Sequence, residues 1–167
     1  MLKRYRSLKW QTVKRLMRET LDDRKNSIKE STISDVLQQY PCLNDPKCMT
    51  EEFKILKNRT NLKNLTMRLQ RLVKNTESGI EDLLKNLPQK LDHSSSGRIV
   101  FDDSESDIPA TPIVLSNDGI YWVRCEEAQL CRTSCLKEAI QCWAFFFAIF
   151  QIEIPAELKP SVFLFIE

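Results

Sequence analysis

The sequence predicts an α+β fold: an N-terminal helical unit, then a small sheet with a buried helix. Three observations predict it. Apolar residues recur at helical spacing up to about residue 90. Short β-branched and aromatic runs bounded by turn residues appear after Leu91. A nearly continuous apolar stretch, Thr133 to Phe150, suits a helix buried on most sides. The expected organisation is a helical unit over 8–90, a linker with an acidic loop over 91–112, and a small α+β unit over 113–167.

The first helix is expected from Trp10 to about Lys29. Trp10, Val13, Met17, Leu21 and Ile28 form one apolar stripe, and Lys14, Arg15, Arg18 and Lys25 lie mostly off it. Ser31 or Thr32 can cap a second helix carrying Ile33, Val36, Leu37 and Tyr40, stopped by Pro41. After the loop PCLNDPKC, Thr50 is the expected cap of a third, with Glu51 and Glu52 in its first turn, where the helix dipole favours acids. A fourth spans about Leu62 to Lys74, its stripe being Leu62, Leu65, Leu69, Leu72 and Val73. Ile80, Leu83, Leu84 and Leu87 make a short helix ended by Pro88.

DHSSSG then reads as a linker. The runs Arg98 to Phe101 and Ile113 to Leu115 are β-rich, separated by the acidic DDSESDIPATP. Asn117-Asp118-Gly119 is a turn signal, so 113–116 and 120–124 should pair as a hairpin. In the terminal stretch Pro155 suits a helix first turn, and Leu158, Val162, Phe165 and Ile166 follow at helical spacing.

With 167 residues the chain makes one domain or two small ones, and 42% hydrophobic residues supply a core. The net charge of +2 conceals two opposed halves. Residues 1–90 carry 20 Lys/Arg against 11 Asp/Glu, while residues 91–167 carry 5 against 12. A basic half can meet phosphates or an acidic partner. The reading preferred here is that it meets the acidic half of its own chain.

The basic N-terminus lacks an apolar signal core and a cleavage site, and the longest apolar run is interrupted by Gln141, Gln151 and Glu153. An intracellular protein, cytoplasmic or nuclear and without a membrane span, is the expectation. The acceptor patterns Asn58-Arg59-Thr60 and Asn64-Leu65-Thr66 then carry no glycan. Six cysteines without a C-x-x-C pair, beside one histidine, point to reduced, mostly buried thiols and away from zinc.

Glycines stand only at 79, 97 and 119, so neither a dinucleotide nor a P-loop phosphate motif can be written. His93 lies in the linker, where no neighbour would hold a catalytic base. Asp102, Asp103, Glu105 and Asp107 lack the glycine and distal glutamate of an EF-hand and read as a solvated acidic loop. Ser104 lies three residues before Asp107, a context acidophilic kinases accept, and is a candidate phosphosite. Trp10, Trp122, Trp143 and the phenylalanines sit at core periods and read as packing.

Two stretches, RETLDDRKNSIKESTISDVLQQYPCLNDPKCMTEEFKIL and LKEAIQCWAFFFAIFQIEIPAELKPSVFLFIE, resemble the sterile alpha motif domain-containing protein 3-like family, an animal family abundant in fish and invertebrates. "DRK", "VLQQYPCLNDP" and "IPAELK" after the apolar helix carry the likeness, over roughly residues 10–60 and 110–167. It lies outside any sterile alpha motif domain. The resemblance implies that the chain is a fragment or truncated copy of a longer protein, and it transfers no catalytic or binding residue.

These readings converge on a non-enzymatic protein-interaction or scaffold module with no cofactor, metal or catalytic residue assigned. The alternative is a nucleic-acid-associated protein using the basic face Lys14, Arg15, Arg18 and Lys25 of the first helix.

Overall fold

A computed structural model describes residues 9–58, 63–74 and 79–167. Lys3, Arg4, Arg6, the Arg59-Thr60 part of the first acceptor pattern and Leu62 lie outside the described residues, as do the side chains of Leu65 and Val73. Among the described residues there are nine α-helices and one four-stranded mixed sheet, an α+β fold.

The helices are α1 (Trp10–Glu19), α2 (Leu21–Glu30), α3 (Ile33–Gln39), α4 (Pro46–Leu56), α5 (Lys63–Lys74), α6 (Ile80–Lys85), α7 (Leu87–Leu91), α8 (Leu136–Phe150) and α9 (Lys159–Ile166). The strands are β1 (Val100–Asp102), β2 (Ile113–Asn117), β3 (Ile120–Cys125) and β4 (Ala128–Thr133), side by side in chain order. β1 runs parallel to β2, and the other neighbours are antiparallel.

The expected hairpin is present. Asn117 pairs with Ile120 across a two-residue loop, and Asp118 and Gly119 hold φ of 47° and 76°. Two positive φ values match the right-handed strand twist, and Asp-Gly reaches them at low cost.

Several boundaries differ from the sequence expectation. The first helix is broken at Thr20, whose hydroxyl donates back to Leu16 O (2.7 Å) and diverts the chain. The cap of α4 is Asp45, not Thr50: Asp45 Oδ1 accepts from the amides of Lys47 (2.9 Å) and Cys48 (3.3 Å), with Pro46 in the first turn. Glu51 and Glu52 therefore lie in the middle of a helix and are buried. Pro88 opens α7 rather than ending α6, since a helix's first turn has no use for the amide that proline lacks. β4 was not expected at all, and because it runs to Thr133 it moves the start of α8 to Leu136.

Segment 91–112 is more than a linker. It holds β1, and its Ser95 Oγ donates to Glu157 O (3.1 Å). Gly97 lies so close to the 3-10 turn Ala156–Leu158 that a Cβ there would stand 2.9 Å from Leu158 Cδ2. His93 is exposed.

The core passes through both expected units without interruption: Val13, Met17, Met49 and Phe53 share one apolar cluster with Val123, Ile140, Phe145 and Phe165. At its centre α8 packs between the inner face of the sheet and helices α4 and α9. The rings of Phe53 and Phe145 stack at 3.9 Å, and Trp143 Nε1 donates to Pro112 O (2.8 Å). The outer face of the sheet carries a second, small cluster of Phe101, Ile113, Leu115 and Trp122, with Ile108 from the β1–β2 connection packed on it.

Candidate functional site

Three places gather charge or unpaired polar groups. The first is the basic face of α1 and α2. Lys14 and Arg18 approach Glu51 of α4 at 3.6 and 3.7 Å, and Lys54 reaches the same carboxylate at 4.0 Å. The face thus docks on the helical half of the chain, not on the acidic second half. A buried glutamate needs counter-charges, and these basic side chains supply them. Arg15 and Lys25 make only local pairs, with Glu19 (3.8 Å) and Asp22 (3.8 Å); Arg15 stays largely in solvent and Lys25 is half-buried. Lys47 sits over the half-buried Trp10 ring at 4.3 Å, with Lys14 at 5.7 Å.

Beneath that face lies an ion pair the sequence reading did not find. Arg24 and Glu52 are 0% and 1% exposed, and the guanidinium meets the carboxylate at 3.0 and 2.6 Å. Arg24 also donates to Met17 O and Thr20 Oγ1. Its spacing of seven from Met17 does put it on the apolar stripe. That was the signal available.

The second place is the acidic loop after β1. Ser104 is exposed, and its amide and hydroxyl both donate to Asp102 Oδ1. Glu105 accepts two hydrogen bonds from Arg98, at 2.7 and 2.6 Å, and one from the Asp102 amide at 2.7 Å. Arg98 and that amide together hold the Glu105 carboxyl below the usual carboxylate range. The Ser104 hydroxyl, followed by its amide, does the same for Asp102. Among the described residues no group of three or more His, Cys, Asp or Glu is placed to hold a metal ion.

The third place is the edge of the sheet itself. In the parallel register, Ile99 O receives the Val114 amide (2.9 Å) and Asp103 N donates to Ser116 O (3.0 Å). Phe101 therefore faces β2, while the amides and carbonyls of Val100 and Asp102 face away from it. Glu105 covers Asp102: its carboxylate takes the Asp102 amide and its own amide donates to Asp102 O (3.1 Å). Val100 N–H and C=O have no such cover among the described residues. Val100 lines a cavity of about 450 Å³, walled by Lys85 of α6, Asn86 between α6 and α7, Gln89 of α7, and by Ser96, Arg98, Asp102 and Ser116.

The opposite edge, β4, is covered at one point. Cys131 takes φ 56° in β4, and its amide donates to Asn44 Oδ1 (3.0 Å) from the 3-10 turn Pro41–Asn44.

No protein-family model, curated protein or solved structure matches the chain. No helix among the described residues is long and apolar enough to cross a membrane.

Proposed function

We propose that the chain is a non-enzymatic protein-interaction module that takes an extended peptide against the edge of β1. The observation that carries this reading is the unpaired main-chain N–H and C=O of Val100, a residue 7% exposed at the wall of a cavity, left without a partner among the described residues where Asp102 is capped. An unpaired strand edge is a template for another strand: main-chain bonds supply affinity and the flanking pocket supplies selectivity. The lining suits this role, since Ser96 and Ser116 offer hydroxyls to a peptide backbone, beside Asn86 and Gln89, whose amide nitrogens already donate to Asp82 and to Gly97 O. The resemblance to the sterile alpha motif domain-containing protein 3-like family points the same way, because relatives in that family often carry a separate protein-association module. Intracellular protein partners fit this reading, and Ser104, two residues past the capped end of β1, lies where a phosphate would alter it.

Selection of random peptides on the immobilised chain, followed by calorimetry on the winners, tests the proposal. Val100→Pro is the decisive variant. It deletes the outward N–H while sparing the ladder to β2, a placement proline tolerates on edge strands. Selected peptides should bind the parent and lose at least about tenfold in affinity for the variant, near 1.4 kcal/mol. Peptides that bind both equally would place recognition elsewhere and refute the proposal.

A further inference from the structure

We infer that the outer face of α5 is a contact site for a membrane surface rich in anionic lipid. Residues 53–76 hold seven Lys/Arg and no Asp or Glu. α5 itself, KNLTMRLQRLVK, carries four of those cations in twelve residues.

The helix turns its apolar side inward: Leu69 is buried, and Leu72 packs against the core. At about 3.6 residues per turn, Met67, Gln70, Arg71 and Lys74 fall on the other side, and all four are exposed. Met67 is the most exposed large apolar side chain among the described residues, at 49%. Arg71 and Lys74 follow it one and two turns along the same face. Arg68 Nη1 donates to Leu164 O (3.4 Å) and ties α5 to α9. There Phe163 is 36% exposed, and the helix carries Lys159 and no acid.

The charges on this face are not answered within the chain as those of α1 and α2 are. Lys14 and Arg18 meet Glu51, and Arg15 and Lys25 have acids on their own helices. Arg71 and Lys74 make no ion pair among the described residues. An unanswered basic face fits a polyanion, and the apolar side chains standing out of it decide which. A nucleic-acid phosphate offers nothing to a methionine, whereas the acyl boundary beneath anionic headgroups takes up thioether and phenyl groups. Contact of this kind needs no spanning helix. Lipid binding by α5 is independent of peptide binding at β1.

The test sediments the whole chain with vesicles of phosphatidylcholine alone and of equal parts phosphatidylcholine and phosphatidylserine. The chain should partition onto the mixed vesicles and not the neutral ones, and should leave them as salt rises, because salt screens exposed charges. Arg71→Glu should lower partitioning at least about fivefold, the weight of one basic residue at such a surface. Arg15→Glu, the same change of charge on α1, should lower it less than about twofold. Met67→Ser leaves the charge alone and should lower it at least about threefold, because its thioether no longer enters the lipid. All three side chains are exposed, so the variants should melt with the parent. A parent that stays off the mixed vesicles would overturn the inference. Equal losses in Arg15→Glu and Arg71→Glu would also overturn it, as they would report net charge alone. Tighter binding to a DNA duplex than to the mixed vesicles, or full lipid binding by Met67→Ser, would assign the face to a partner other than a lipid surface.

Discussion

Removing Arg24 should cost more stability than removing any other charged side chain described here. Arg24→Met keeps most of the aliphatic stem in the core but deletes the guanidinium. Glu52, 1% exposed, then loses both of its short contacts, and Met17 O loses its donor. Breaking a buried pair from one side leaves an uncompensated charge, at about 3–5 kcal/mol. For a chain of this length that corresponds to roughly 6–20 °C in melting temperature. Glu52→Leu alone strands the guanidinium and should cost a similar amount. The double variant removes both charges and should recover most of the loss, since apolar replacement of a whole buried pair is often near neutral. Urea unfolding of the four proteins gives the coupling directly. A coupling of about 2 kcal/mol or more supports the reasoning, within the range seen for residues in one network. Single variants that each cost under about 1 kcal/mol, or that add, would refute it.

Reversing Arg15 should change stability by less than about 0.5 kcal/mol, because its one pair is exposed and local. Reversing Lys14 and Arg18 together should cost about 1–2 kcal/mol by surrounding Glu51 with like charge, read by the same urea curves. If that face bound nucleic acid instead, the reversal would leave stability intact and abolish a steeply salt-dependent affinity. Ser161→Ala should be neutral or stabilising by up to about 1 kcal/mol in thermal melts, since its buried hydroxyl has no partner among the described residues. Glu105 has a lowered folded pKa, so its contribution is present above the ordinary carboxylate range. It is lost as pH falls through the lowered value. Nuclear magnetic resonance of the Asp102 amide should show this loss on acidification in the parent and not in Glu105→Gln.

Where periodicity and turn chemistry act locally, the fold was legible. The apolar stripe of α1, the Thr32 cap of α3 (which accepts the Asp35 amide at 3.2 Å), the Asp118-Gly119 hairpin and the buried α8 all declare themselves in a few residues. β4 did not, because its hairpin turns at Glu126-Glu127, with Glu126 at φ 53°, and carries neither glycine nor asparagine. Asp45-Pro46 did carry a helix-start signal, and the pair Glu51-Glu52 outweighed it wrongly. Those two acids read as first-turn residues because a glutamate in mid-helix looks solvated until its partners are known. Its partners Lys14, Arg18 and Arg24 lie some thirty residues earlier in the chain. Lys14 and Arg18 were identified individually, but their common target Glu51 was not. The free Val100 edge depends on β1 pairing with β2 and on Glu105 folding back, neither of which has a local pattern.

Residue-resolved amide exchange in β1 tests the central claim most directly. In the free protein the account predicts slow exchange at Phe101 and Asp103, whose amides join β1 to β2, and fast exchange at Val100. Addition of a selected peptide should then slow Val100 while leaving Phe101 unchanged. Protection at Val100 equal to that of Phe101 before any peptide is added would contradict the account, because the edge it assigns to a partner would already be closed.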